Sequence, residues 1–481
     1  MQKASLFLII ISIITNPSFS QSNINILNFQ KNIDSENASI GICIEDISGK
    51  EVLSFNKKQS LTPASILKVV TSATALEILG ENHRFKTEIG IDTIDKHRIT
   101  IHGYGDPTLG SEYIKVAATD FIDKWGVEIL KQTNASPLTI KIDDSYFGYY
   151  GVSRKWIRED MGNYYAAASY GISVFDNSYK LFFNTTNKKS PPPVLRTEPE
   201  MSGIVFTNSM GLNKTGNDYG HILGEPFSNN RFLMGSIPEG KASFSIKGDI
   251  PDPGYYLGTR LSDYLREKGI VETNVITTRS DYYSPEFEQE KAIKENDKII
   301  HTHFSPPLSD IIRVVNVRSN NHYAEHLIRH IGRSVNPAAV YSDPLSEGIE
   351  RINSFWASKG ISTDGLFMYD GSGLSPSNAV NPALMCNILR YMYNDSKYSE
   401  AFVASFPKAG SEGTVRNLLK GTRLEGKVFV KSGSIANVQC YAGYYLDGDK
   451  KYAFAIMVNH FKKNSRRQVV KAIESLLLAV F

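Results

Sequence analysis

Ser65 and Lys68 stand three positions apart in the segment Leu61 to Gly80, which carries apolar residues at Ile66, Val69, Val70, Ala73, Leu76 and Leu79. With Thr62 as N-cap and Pro63 at the first helical position, that spacing predicts an amphipathic helix. The two side chains then share one face about a turn apart, and a hydroxyl meets an amine. A serine at its free pKa is a poor nucleophile, whereas a lysine kept from water near another cation gives up its proton and can act as base. A place in the first turn adds the helix dipole, which favours the negative charge that grows during attack. The spacing alone is a weak signal. Ser54 and Lys57 repeat it, but they fall in a strand and the loop after it, where nothing brings the pair together.

Two further clusters follow in the chain. Ser319-Asn320-Asn321 lies between two helical patterns, and Lys431-Ser432-Gly433-Ser434 ends one apolar strand and leads to another. Each has a look-alike, Ser228-Asn229-Asn230 and Lys214-Thr215-Gly216. Only the set at 65, 319 and 431 puts a helix start, an interhelical loop and a strand in sequence.

The elements that must hold these clusters can be read around them. Strands are expected over Ile40 to Glu45 and Glu51 to Ser54, joined at Ser48-Gly49-Lys50. From about residue 85 to 295 the texture changes to short alternating strands such as Arg98 to His102 and Leu138 to Ile142, broken by Gly, Pro and Asn, with one helix at Tyr256 to Lys268. Helical periodicity returns at Leu308 to Val317, Asn321 to Ile331, Asp343 to Lys359 and Pro382 to Asn394. Strands Lys427 to Lys431, Asn437 to Leu446 and Tyr452 to His460 then precede a last helix from Ser465 to Phe481. The expected fold is α/β, an antiparallel sheet flanked by helices and split in sequence. Residues 21–80 and 295–481 would form its body, and 81–294 a mostly β insertion of two small subdomains.

The triple motif resembles the S-x-x-K, S-D-N and K-T-G set of serine β-lactamases and penicillin-binding proteins. Four more stretches narrow the resemblance: Gly105-Asp106-Pro107-Thr108-Leu109, Asp143-Asp144-Ser145, Asp370-Gly371-Ser372-Gly373-Leu374-Ser375 and Gly413-Thr414-Val415-Arg416-Asn417. With roughly 250 residues between Lys68 and Ser319, the chain resembles class C low-molecular-mass penicillin-binding proteins, the D-Ala-D-Ala carboxypeptidase/endopeptidase family. Asn320 replaces the commoner Asp, and Ser432 and Ser434 replace Thr. The resemblance implies a β-lactamase/DD-peptidase-like fold, Ser65 attacking the D-Ala carbonyl, and Lys68 taking its proton. Ser319 and Lys431 would pass a proton to the departing amine, as chemistry requires, since an amide leaves only as an amine. Asn321 would hold the substrate amide, the N–H groups of Ser65 and Ser434 the oxyanion, and Ser432 beside Gly433 the terminal carboxylate. Peptidoglycan and its muropeptides are the implied partners, β-lactams the implied inhibitors, and no cofactor follows. A β-lactamase-like hydrolase and a catalytically idle peptidoglycan-binding scaffold are the competing readings.

Asp160 resembles a position where an acid meets the amino end of a diaminopimelate residue, against the reading of a solvated loop acid. Asp370 to Ser375 reads as a tight turn beneath the site. His322, His326 and His330 recur every four residues and read as a polar helical face rather than a metal site. Residues 1–20, with Lys3, an apolar run from Leu6 to Ile14 and Ser18-Phe19-Ser20, read as a signal peptide and hence export to the periplasm. A formal charge of +3 with no recurring basic block argues against nucleic acid. Arg466, Arg467 and Lys471 raise peripheral attachment to a membrane or the cell wall, with packing of the last helix on the sheet preferred. Of three cysteines, Cys43 and Cys440 are bridged or free; Cys386 completes the set.

Overall fold

The computed structural model describes residues 17–33, 35–114, 120–278, 297–334 and 343–481. The first sixteen residues of the expected leader lie outside that range. The chain opens with helix α1 (Pro17–Asn32), strands β1 (Ser39–Asp46) and β2 (Glu51–Phe55), a 3-10 turn (Ala64–Ile66) and helix α2 (Leu67–Leu79). Next come β3 (Lys86–Asp92), β4 (Arg98–Gly103), β5 (Asp106–Leu109), α3 (Phe121–Leu130), β6 (Leu138–Asp143), β7 (Ile172–Val174), β8 (Ser178–Phe183) and β9 (Val194–Glu198). They are followed by β10 (Val205–Asn208), β11 (Gly211–Asn213), β12 (Tyr219–Leu223), β13 (Asn230–Pro238), β14 (Phe244–Asp249), α4 (Pro253–Glu267), β15 (Thr273–Thr277) and β16 (Asp297–Phe304). The chain closes with α5 (Leu308–Arg318), α6 (Asn321–Arg333), α7 (Pro344–Ser358), α8 (Pro382–Asn394), α9 (Ser399–Ser405), β17 (Val428–Ile435), β18 (Val438–Asp447), β19 (Lys450–Asn459) and α10 (Arg466–Val480).

The two ends of the chain meet in one antiparallel sheet of order β17-β18-β19-β1-β2. Alternation along β19 shows why it is buried on both faces. Ala453, Ala455 and Met457 join the core with α2 and α5 to α8, while Phe454, Ile456 and Val458 join the core under α1 and α10. The body is thus a sheet between two helical layers, with β17 at one edge, where Lys408 bridges its first half opposite Phe429. Helix α10 turns Val469, Ala472, Ile473, Leu476 and Leu477 onto the sheet, which is the packing preferred from sequence. No helix among the described residues is long and apolar enough to cross a membrane.

Several expectations are corrected. Helix α2 is buried from Leu67 through Leu76; it runs through the middle of the helical layer and is not amphipathic. Thr62 caps nothing, its hydroxyl reaching toward the Pro376 carbonyl, and the chain enters α2 through the 3-10 turn. Strand β16, assigned to the body by the boundary at 294, pairs antiparallel with β3 in a sheet of order β15-β6-β4-β3-β16. The inserted region also holds α3, unforeseen because Gly126 interrupts its pattern; Tyr264 of α4 packs where a Cβ on Gly126 would stand. Two smaller sheets, β14-β8-β9 and one built around β13, lie between β7 and α4. All three thiols are free and buried.

Candidate active site

Ser65 sits inside the 3-10 turn ahead of α2, after Ala64 in a left-handed conformation (φ +47°). Gly373 (φ +79°) presses on that turn so closely that a Cβ would lie 1.9 Å from the Ala64 carbonyl oxygen, so only glycine fits. Lys68, fully buried, places its Nζ 2.9 Å from Ser65 Oγ, 2.7 Å from Asn321 Oδ1 and 2.6 Å from the Ser372 carbonyl oxygen. Asn321 cannot turn its amide the other way, because its Nδ2 donates to the Tyr165 carbonyl at 2.7 Å. Two of the three partners of Lys68 therefore only accept. A neutral amine gives both its N–H bonds to them and leaves its lone pair for the Ser65 hydroxyl. Loss of solvation pulls the Lys68 pKa down to about 7, opposed by the charges of Asp370 and Glu325. By contrast, Ser54 and Lys57 both turn to Glu51 and not to each other.

A second serine and lysine face the first pair. Ser319 ends α5 in a left-handed conformation (φ +56°), and Lys431 Nζ lies 2.8 Å from its Oγ and 2.6 Å from the Ser432 carbonyl. Burial holds the Lys431 pKa well below its usual value, and the neighbouring Lys68 pushes it the same way. Asn320 caps α6 by accepting the Tyr323 N–H at 2.9 Å, a task that needs only a side-chain oxygen. Lys431 to Ser434 lie within β17, not at the end of a strand, because β17 continues to Ile435. As an edge strand of the sheet, β17 brings Gly433 against the turn; a Cβ there would lie 2.4 Å from the Pro63 carbonyl oxygen and 3.0 Å from Ser65 N. Ser432 Oγ meets Thr414 Oγ1 at 2.7 Å, and Ser434 is exposed.

Beneath the pairs, Asp370 binds the N–H groups of Gly373 (2.7 Å) and Ser375 (2.6 Å), Trp156 Nε1 (2.9 Å) and Asn378 Nδ2 (2.8 Å). It is the organiser of a tight turn, as expected; burial first, and Glu325 next, raise its pKa to about 6. Asp160 Oδ1 accepts from Tyr165 OH at 3.2 Å, so its loop reaches the site through the residue whose carbonyl orients Asn321. Burial raises the Asp160 pKa. The polar face expected at His322, His326 and His330 is absent. All three rings are buried in α6, with burial driving His322 and His330 down to about 3. His326 bridges Ser173 and the His322 carbonyl, and His330 contacts the Gly105 carbonyl. They read as polar because the tertiary layers covering α6 are invisible in local periodicity. Among the described residues, no group of three or more His, Cys, Asp or Glu could hold a metal ion.

Sequence reasoning passed over Glu325 and the Ser372 carbonyl. Glu325 follows Asn321 by four positions, one helical turn along the same face, and that spacing was the available signal. Its Oε1 accepts the N–H groups of both Gly371 and Ser372 at 2.9 Å.

The sequence profile of the D-Ala-D-Ala carboxypeptidase 3 (S13) family matches residues 23–480. The chain is 26% identical over 448 residues to a D-alanyl-D-alanine carboxypeptidase of Actinomadura sp. (strain R39), covering 88% of this chain and 78% of that protein. It is 24% identical over 463 residues to the D-alanyl-D-alanine carboxypeptidase DacB of Haemophilus influenzae, with 92% and 90% covered. The crystal structure of penicillin binding protein 4 (dacB) from H. influenzae superimposes with a TM-score of 0.75 at 20% identity, over 94% of this chain and 98% of that one; at this identity the likeness speaks for the fold. The same protein is also solved complexed with a β-lactam. Matched over nearly its whole length, the chain belongs to the D-Ala-D-Ala carboxypeptidase 3 (S13) family and is a serine peptidase.

Proposed function

We propose that the protein is exported to the periplasm and cuts the bond on the carbonyl side of the penultimate or cross-linked D-Ala residue of peptidoglycan stem peptides through an acyl-enzyme on Ser65. The observation that carries this reading is the occupancy of Lys68: two acceptors take its N–H bonds, so its lone pair faces Ser65 Oγ–H. Lys68 Nζ takes the hydroxyl proton as Oγ bonds to the D-Ala carbonyl carbon. The carbonyl oxygen gains the charge between the N–H groups of Ser65 and Ser434, the latter on the edge strand β17. When the C–N bond breaks, Lys68 passes that proton through Ser319 and Lys431 to the leaving nitrogen, which leaves Lys68 neutral and an ester on Ser65. Water then gives a proton to Lys68 as its oxygen bonds to the ester carbon, and Lys68 returns that proton to Ser65 Oγ as the C–O bond breaks, which restores the enzyme. Ser432, beside Thr414, offers hydroxyls to the terminal carboxylate.

A β-lactam presents the same kind of carbonyl, and its ring nitrogen stays tethered after opening, which supports a stable penicilloyl adduct on Ser65. Asp160, partly covered and linked through Tyr165 to Asn321, suits the cationic amino end of a diaminopimelate side chain. Pentapeptide and cross-linked stems both carry such a group on the residue before the attacked D-Ala, so one site serves carboxypeptidase and endopeptidase action alike. The test is release of free D-Ala from a pentapeptide, and of monomers from cross-linked dimers, by wild type and by Ser65→Ala. Release by both proteins would reject Ser65 as nucleophile. Release from pentapeptide alone would reject the endopeptidase reading.

A further inference from the structure

We propose that Glu325 is a positioning residue for Lys68, acting through the Gly371–Ser372 turn; this inference rests on the reading of Lys68 as the base. Glu325 is fully buried and both its oxygens are filled by donors. Oε1 accepts Gly371 N and Ser372 N at 2.9 Å, and Oε2 accepts Ser153 Oγ and Arg329 Nη1 at 3.0 Å. Arg329 is itself tied to the Gly151 carbonyl at 2.8 Å, so the carboxylate is clamped from the inserted region as well as from its own helix. The two residues whose N–H groups Glu325 holds turn their carbonyls to α2; the Ser372 carbonyl shares its peptide group with the Gly373 N–H, which Asp370 binds. Gly371 O accepts from Thr71 Oγ1 at 2.7 Å, and Ser372 O accepts from Lys68 Nζ at 2.6 Å. Asn321 and Glu325 therefore hold the same amine from one face of α6, the first directly and the second through the backbone of Ser372.

Burying a carboxylate with a guanidinium costs solvation that an apolar pair would not, so a purely structural role is an expensive way to fix a turn. The arrangement has a second consequence for Lys68. The charges that act on it are Asp370 and Glu325, which favour its protonated form, with Arg329 paired to Glu325; Lys431 across the site is itself held well below its usual value by burial and by the charge of Lys68. Acylation needs the neutral amine. Removing the charge of Glu325 while keeping its shape therefore moves the acid limb of acylation to lower pH.

The experiment is the rate of penicilloyl formation from benzylpenicillin against pH, for wild type, Glu325→Gln, Glu325→Ala and Ser65→Ala. In Glu325→Gln the acid limb shifts down by roughly half a unit to one unit. In Glu325→Ala the plateau rate falls roughly a hundredfold, as the Ser372 carbonyl loses its anchor and the amine its aim. A folded Glu325→Gln whose acid limb stays with wild type, or a folded Glu325→Ala with an unchanged plateau, overturns the inference while leaving Ser65 and Lys68 in place. Absence of any adduct on wild type takes down the underlying reading and this inference with it. If neither variant folds, hydrogen exchange on the wild type decides: protection of the Gly371 and Ser372 amides lasting as long as that of α2 supports the anchor, and exchange within seconds overturns it.

Discussion

The two serine–lysine pairs use the same functional groups in different surroundings. Ser65 and Lys68 are 2.9 Å apart, Ser319 and Lys431 2.8 Å, and both lysines are fully buried. Lys68 is gripped by acceptors from two distant elements, Asn321 on α6 and Ser372 in the turn, within the field of Asp370 and Glu325. Lys431 is gripped by the carbonyl of its own neighbour, Ser432, and is lowered by burial and then by the charge of Lys68. Acids oppose the effect of burial on Lys68 and leave it at about 7, so it can take and release a proton near neutrality, while burial and the charge of Lys68 hold Lys431 well below its usual value. Similar pairs pushed apart by environment can divide the work of proton transfer. In the proposed mechanism Lys68 receives the proton of Ser65, and Lys431 completes the relay to the leaving nitrogen.

Substitutions at the two pairs sharpen that contrast. Ser65→Ala should remove D-Ala release almost entirely, by about 10⁴-fold or more in kcat. Lys68→Met should slow acylation by about 10³-fold, and Ser319→Ala should cost about 10²-fold, measured as penicilloyl formation and peptide turnover side by side. Equal losses at both would break the division of labour. Gly433→Ala should cost about 10²-fold in kcat/KM, because a Cβ 3.0 Å from Ser65 N forces β17 away from the turn. For wild type, log kcat/KM should rise by one per pH unit below about pH 7 and level off above, since the reactive Lys68 is the neutral one. A profile flat down to pH 5 would show that Lys68 stays neutral and that the acids beside it do not govern it. Thr414→Val, which removes the partner of Ser432 Oγ, should raise KM for peptides ending in a carboxylate by a few-fold with little change in kcat.

The residues of the pairs were legible in the sequence because each motif is local. A three-residue interval on a helix start, a serine between helices and a lysine in a strand can be read from short windows. What joins them was not, since it depends on contacts across hundreds of positions. Lys68 meets Ser372 and Asn321 only after α2 threads the middle of the helical layer, and the same threading turned an expected amphipathic helix into one buried nearly all round. The histidines of α6 failed for the same reason: their spacing is polar, and the layers over them come from β5, β7 and the loop around Phe147. Strand β16 was misplaced because its alternating His and Thr residues give no hint of whether β3 or the body sheet will pair with it. Elements with a self-contained pattern, such as α8, agreed with expectation to the residue.

The most direct test of the account is intact-protein mass spectrometry of wild type and Ser65→Ala after incubation with benzylpenicillin. The account predicts one penicilloyl adduct on wild type, located on the peptide that contains Ser65, and none on the variant. An adduct of equal yield on Ser65→Ala, or none on wild type that is folded, would contradict it.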